Sequence, residues 1–150
     1  MGRTTHVGPA GSGQLVKLAN QAMVAVNISG VAQALLLAYA GGANPAQIPE
    51  ALAGGHADSR VLQEHGQRMI SRTFVPGAPM RNFVKDIDTV LAEAKALGVE
   101  LPVLEAAAVG YRKIYEEGKK TWDHSAWLLA LEDQSNGVRM GDGPDVGPED

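Results

Sequence analysis

Gly8-Pro9-Ala10-Gly11-Ser12-Gly13 runs straight into Gln14-Leu15-Val16-Lys17-Leu18-Ala19-Asn20-Gln21, and from Leu18 to Tyr39 the chain has neither a charge nor a proline. This stretch reads as a glycine-rich loop followed by one long helix of roughly 28 residues, about 40 Å in length. Ser12 is the expected N-cap. Gly41-Gly42 is the expected stop, because glycine enters the left-handed region without steric cost. The helix is apolar nearly all round, which in a soluble protein predicts burial by other helices.

The polar exceptions share one side. At about 100° per residue from Lys17, Asn20 lies at about −60°, Gln21 at about +40°, Asn27 at about −80° and Gly13 at about −40°. Burying such groups without partners costs on the order of 1–3 kcal/mol each, so the stripe faces either water or a ligand. Facing water, it is the polar surface of a core helix. Facing a ligand, it offers an ammonium, carboxamides and a glycine loop whose free N–H groups suit an anion. Residues 22–40 are also long enough to span a membrane. However, Asn27, Ser29, Gly30 and Gln33 interrupt the run, and no cluster of Lys or Arg flanks it.

The 150 residues suit one domain able to bury a sizeable core. An apolar content of 45% with few aromatics fits a helical globule. The absence of cysteine excludes disulfides and thiolate metal sites. The first residues, Met1 to His6, do not read as a secretory signal, so the cytoplasm is the expected location. The net charge of −4 sits in the last segment, where Asp133, Asp142, Asp145, Glu149 and Asp150 outnumber Arg139. Residues 1–132 therefore balance, and no basic surface suits nucleic acid. The segment 133–150, rich in Gly, Pro and Asp, reads as a disordered acidic tail.

Further along, Asn44-Pro45 resembles an N-cap with proline at the first helical position, opening a short helix to about Ala53. Asp58-Ser59 opens another, with Val61, Leu62, His65, Met69 and Ile70 inward, although Gly66 weakens it. Residues 71–78 form a loop in which Phe74 reads as a core plug. Residues 79–97 are the clearest amphipathic helix, with Met80, Phe83, Val84, Ile87, Val90, Leu91, Ala94 and Leu97 at helical spacing and Gly98 ending it. On charge pattern alone, Lys85-Asp86 is a solvated pair at the edge of that stripe. Leu101-Pro102 opens the next helix, closed by Gly118. Asp123 is read as the N-cap of a last helix over 124–132. Adjacent Asp123, His124 and Ser125 do not form a hydrolytic triad, because sequence neighbours point apart. The four histidines show no metal-ligand spacing, and no metal is expected.

The run G-P-A-G-S-G-Q-L-V-K-L-A-N-Q resembles the signature G-x-x-G-x-G-x-x-x-K, followed one turn later by Asn, of the β-hydroxyacid dehydrogenases. It is most similar to their tartronate semialdehyde reductase (2-hydroxy-3-oxopropionate reductase) and 3-hydroxyisobutyrate dehydrogenase branches. K-D-I-D-T-V-L-A-E-A from Lys85, Leu101-Pro102 and Asp123-His124-Ser125-Ala126 match further family elements, so the resemblance covers residues 5 to about 132. It implies an all-α bundle around one long helix, like the C-terminal domain of 6-phosphogluconate dehydrogenase. Residues 1–7 would then be the remnant of an interdomain strand, and 8–132 a catalytic and dimerisation domain. The Rossmann half and its G-x-G-x-x-G fingerprint are absent from this sequence.

By resemblance, Lys17 is the general acid/base, while Gly11, Ser12, Gly13, Asn20 and Gln21 bind substrate. Phe74, Lys85, Asp86 and Ser125 border an NAD or NADP held mainly by the missing half. Many relatives place the orienting Asn four residues after the lysine, where this chain has Gln21. The implied activity interconverts a small hydroxy acid and its semialdehyde, with little turnover by this chain alone. The implied partners are the nucleotide-binding domain and further copies of the chain. The competing reading is a non-catalytic helical dimerisation module derived from the same family.

Overall fold

The long helix forms as its sequence predicts, α1 from Ser12 to Ala40, in a computed structural model that describes residues 5–148. The expected strand remnant therefore lies largely outside the described residues, as do Glu149 and Asp150. The start of α1 differs from expectation. Gly11, not Ser12, is the N-cap, at a left-handed φ of 95°, and no side chain caps the helix. Gly8, with φ 137°, folds the loop back so tightly that a Cβ there would lie 2.6 Å from the Ser12 Oγ. Only glycine fits.

Five more helices complete the bundle: α2 (Ile48–Leu52), α3 (Arg60–Ser71), α4 (Met80–Ala96), α5 (Pro102–Glu116) and α6 (Trp127–Asp133). Single 3-10 turns precede α2 and α6. Among the described residues there is no sheet, only two isolated β-bridges. The fold is all-α. Local chemistry sets most boundaries. Asn44 accepts from the Ala46 N–H before Pro45, and the Ser59 hydroxyl caps α3 through the Leu62 N–H. Gly98 and Gly118 take left-handed φ just beyond α4 and α5.

α1 touches α3, α4, α5 and α6. Its length and composition alone would let it cross a membrane, yet here it is the central helix of the bundle. Its buried residues are Ala25, Ile28, Ser29, Ala32, Leu35 and Leu36, which at spacings of three and four form one stripe. They meet Met69 of α3, Met80, Phe83 and Ile87 of α4, Tyr111 and Ile114 of α5, and Leu128 of α6. The expectation that helices surround α1 is corrected: Met23 and Leu37 remain 65% and 76% exposed. The other helices of this chain cover one side only.

The segment after α6 also departs from expectation. Over residues 133–148 it is not a disordered tail but a strap packed on the bundle. Met140 is buried, and Val146 pairs with Thr73 through the Phe74 N–H to Val146 C=O bond of 2.7 Å and the Val146 N–H to Arg72 C=O bond of 2.9 Å. Arg72, itself buried, donates from Nε to Asp145 at 2.6 Å and from Nη1 to the Met140 carbonyl at 2.8 Å. Sparse apolar anchors and one arginine hold what composition marks as coil.

Candidate active site

The polar stripe of α1 faces outward. Lys17 and Asn20 lie on its solvent side, and Gln21 is half-buried where α1 meets α4. There the Gln21 Nε2 donates to Asp86 Oδ2 at 2.6 Å, and its Oε1 accepts from Asn20 Nδ2 at 3.3 Å. Lys17 stands one helical turn before Gln21, and Lys85, also exposed, adjoins Asp86. Two segments 65 residues apart in sequence thus meet at one hydrogen bond. Among the described residues, neither lysine forms an ion pair. Both ammonium groups are available to an anion.

The glycine loop lies at the N-terminal end of the same helix. Expectation gave three of its N–H groups to an anion, but that of Ser12 is spent on the Pro9 carbonyl at 3.1 Å. Among the described residues, no acceptor takes the N–H of Gly11 or Gly13. Their unspent donors and the helix dipole favour negative charge at this end. The result is an open surface with a cationic, donor-rich corner.

Phe74 and Ser125 do not belong to it. Phe74 is fully buried, with its ring stacked on Trp122 at a centroid distance of 5.8 Å. Ser125 is also fully buried and donates from Oγ to Asp123 Oδ1 at 2.6 Å. Both expectations of cofactor contact are corrected: neither side chain reaches the surface, and both pack the interior.

Sequence reasoning missed the polar cluster that Ser125 joins. Asp123 caps the turn before α6 as expected, but its Oδ2 also pairs with Arg68 of α3 and accepts from the Gly77 N–H at 3.1 Å. Burial pushes the Asp123 carboxyl up, yet the Ser125 donors, His124 and Arg68 outweigh it and hold it below the usual carboxylate range. Beside it, His124 Nε2 lies 2.8 Å from His65 Nε2, and burial pushes His124 down to about 4. His65, His124 and Asp123 are close enough to suggest a metal site. Against that, four donors occupy the carboxylate and the Arg68 cation adjoins it. Both imidazole Nδ1 atoms also lack the outer acceptor that fixes a metal-binding histidine. The only sequence hint was the inward register of His65.

A cavity of about 470 Å³ opens under the C-terminal strap, lined by Arg72, Glu132, Arg139 and Asp145 among others. Its charges are already paired within the protein.

Known proteins share this bundle and its sequence. A family described as NAD-binding of NADP-dependent 3-hydroxyisobutyrate dehydrogenase matches residues 11–131. The chain is 44% identical over 132 residues to 2-hydroxy-3-oxopropionate reductase of Escherichia coli K12, covering 88% of this chain and 45% of that protein. It is 35% identical over 136 residues to a probable mitochondrial 3-hydroxyisobutyrate dehydrogenase-like protein of Arabidopsis thaliana, covering 91% of this chain and 41% of that protein. The crystal structure of a 3-hydroxyisobutyrate dehydrogenase from Salmonella typhimurium superposes with a TM-score of 0.74 at 26% identity, over 79% of this chain and 42% of that one. The chain spans less than half the length of these relatives. On a match that runs from the N-cap of α1 into α6, the chain belongs to the family of 3-hydroxyisobutyrate dehydrogenases and their semialdehyde-reducing kin.

Proposed function

We propose that this chain is the helical catalytic part of an NAD(P)-dependent oxidoreductase that interconverts a small hydroxy acid and its semialdehyde, with Lys17 as general acid/base. The observation that carries this reading is the meeting of the Lys17 and Lys85-Asp86 segments across the 2.6 Å Gln21–Asp86 hydrogen bond. It gathers one exposed amine, one carboxamide relay and a second amine on a single open face.

Reducing an aldehyde places developing negative charge on the carbonyl oxygen. The Lys17 ammonium donates a proton there, and in the oxidative direction the neutral amine removes it from the hydroxyl. The N–H groups of Gly11 and Gly13 hold the carboxylate of the acid, and Asn20 orients the substrate. A nicotinamide, when bound, supplies or accepts the hydride. Lys85 is exposed and forms no ion pair among the described residues, which suits the anionic groups of such a cofactor. The open face needs a second body to exclude water, and a nucleotide-binding domain fills that role. A cytoplasmic location belongs to the same proposal.

The test joins this chain to a matching nucleotide-binding half and follows NAD(P)H oxidation with 2-hydroxy-3-oxopropionate. Lys17→Ala should reduce kcat by about 100-fold or more. Equal activity in the variant would falsify the assigned role.

Exposed Met23, Leu37, Val103 and Val109 favour a second property, self-association through the uncovered side of α1 and α5. Sedimentation should show a dimer or larger that Leu37→Glu weakens. A strict monomer would remove the dimerisation role and leave the enzymatic one standing.

A further inference from the structure

We infer that Gln21 is a positioning residue rather than a substrate ligand, and that the Asp86–Gln21–Asn20 relay decides which end of the Asn20 carboxamide meets the substrate. This rests on the proposed function and goes beyond it, because it assigns one substrate group to one protein atom.

The polarity follows from the donor inventory. The carboxylate of Asp86 accepts hydrogen bonds and donates none, so Gln21 presents Nε2 to it, at 2.6 Å. The opposite end of the Gln21 amide is then Oε1, an acceptor. Asn20 presents Nδ2 to it, at 3.3 Å. The two ends of an amide have nearly the same shape, and only its partners fix which is which. Here one carboxylate orients two amides in series.

The outcome for Asn20 is specific. Its Nδ2 is engaged with Gln21, while its Oδ1 has no hydrogen-bond partner among the described residues. A free carbonyl oxygen recognises a donor. Among the groups of a hydroxy acid, only the hydroxyl O–H is a donor, since the ionised carboxylate accepts and the hydrocarbon does neither. Asn20 therefore reads the hydroxyl. The carboxylate falls to the donors on the same face, the Lys17 ammonium and the N–H groups of Gly11 and Gly13. Gln21, anchored at both ends and half-buried, keeps the relay in register between α1 and α4.

The experiment uses the full-length enzyme that carries this domain. The substrate is glycerate or 3-hydroxyisobutyrate, whichever the parent oxidises. Lactate or isobutyrate, respectively, serves as the competitive inhibitor lacking the reacting hydroxyl. In Asp86→Asn the relay loses its fixed polarity, and KM for the hydroxy acid should rise by about tenfold, the value of one hydroxyl hydrogen bond, with kcat changed less. The inhibition constant of the analogue should stay within about twofold, since no hydroxyl is there to read. A merely structural defect would weaken both ligands together.

The double variant Gln21→Glu with Asp86→Asn reverses the first link but keeps the second. The carboxylate introduced on α1 would accept from the amide introduced on α4 and still accept from Asn20 Nδ2, which leaves Asn20 oriented as before. KM should return to within about threefold of the parent value. An unchanged KM in Asp86→Asn overturns the inference, as does a double variant no better than the single one, or an analogue that weakens in parallel. A parent inactive on both acids, or a fully active Lys17→Ala, sinks the functional reading instead and takes this inference with it.

Discussion

The Nε2 atoms of His65 on α3 and His124 before α6 lie 2.8 Å apart, and the Nδ1 atoms of both rings are buried without partners. At that separation one nitrogen carries a proton and the other accepts it; two protonated nitrogens would repel. Burial pushes His65 below its ordinary range and His124 down to about 4, with Asp123 opposing and Arg68 reinforcing. The unfolded chain binds protons at these rings near pH 6.5, the folded one only at lower pH. Stability is therefore fully present above about pH 6.5 and falls as pH drops towards 4. His124 alone accounts for about 3 kcal/mol of that loss. Urea unfolding at pH 7, 5.5 and 4.5 checks this, with His124→Gln expected to flatten the slope. Acid loss confined to below pH 4 would implicate Asp123, whose carboxyl is held low, and not the histidines.

Arg72 offers a test of a buried ion pair. Its guanidinium meets both Glu132 oxygens at 2.8 Å, and the pair is 3% and 8% exposed at the side chains. Arg72→Met leaves Glu132 charged and buried, and should cost about 3–5 kcal/mol in unfolding free energy. Adding Glu132→Gln removes the orphaned charge and should recover part of that loss. The coupling, measured as a double-mutant cycle, comes out near zero only if the pair is not formed.

The strap makes an independent prediction. Deleting residues 138–150 removes buried Met140, the Asp145 contact and the pairing of Val146 with the Arg72–Phe74 backbone. The loss should be about 3 kcal/mol or more, from one buried apolar side chain and several hydrogen bonds. Hydrogen exchange should quicken first at the Phe74 N–H, whose acceptor is the Val146 carbonyl. An unchanged melting temperature would show the strap to be dispensable.

What was legible in the sequence was local chemistry. Asn44-Pro45, Ser59, Gly98 and Gly118 set helix ends through residues within four positions, and each was readable one turn at a time. The Lys17 stripe was legible because helical phase alone gathers it. What escaped reading depends on partners far along the chain: Arg72 with Glu132 is 60 residues apart, and His65 with His124 is 59. No periodicity encodes such pairs. Phe74 and Ser125 failed as site residues for a related reason. A motif places a residue near an element, but packing decides whether its side chain points out or in.

Two glycines in helices should respond to alanine with opposite signs. Gly66 looked like a weakness in α3, and it sits where α3 crosses α1. A Cβ there would meet Leu62 Cδ1 and Val31 Cγ1 at 3.5 Å and Leu35 Cδ1 at 3.7 Å, which is ordinary contact. Gly66→Ala gains helix propensity without a clash and should stabilise by about 0.5–1 kcal/mol, raising Tm by about 2 °C. Gly110 in α5 has no such room: a Cβ would overlap the Trp127 indole, whose Nε1 donates to the Ala107 carbonyl at 2.8 Å. Gly110→Ala must displace that ring and its hydrogen bond from the contact between α5 and α6. It should cost about 2–4 kcal/mol and lower Tm by about 4 °C or more. Calorimetry on the two variants checks both signs. A stabilised Gly110→Ala would mean that the indole does not lie against α5.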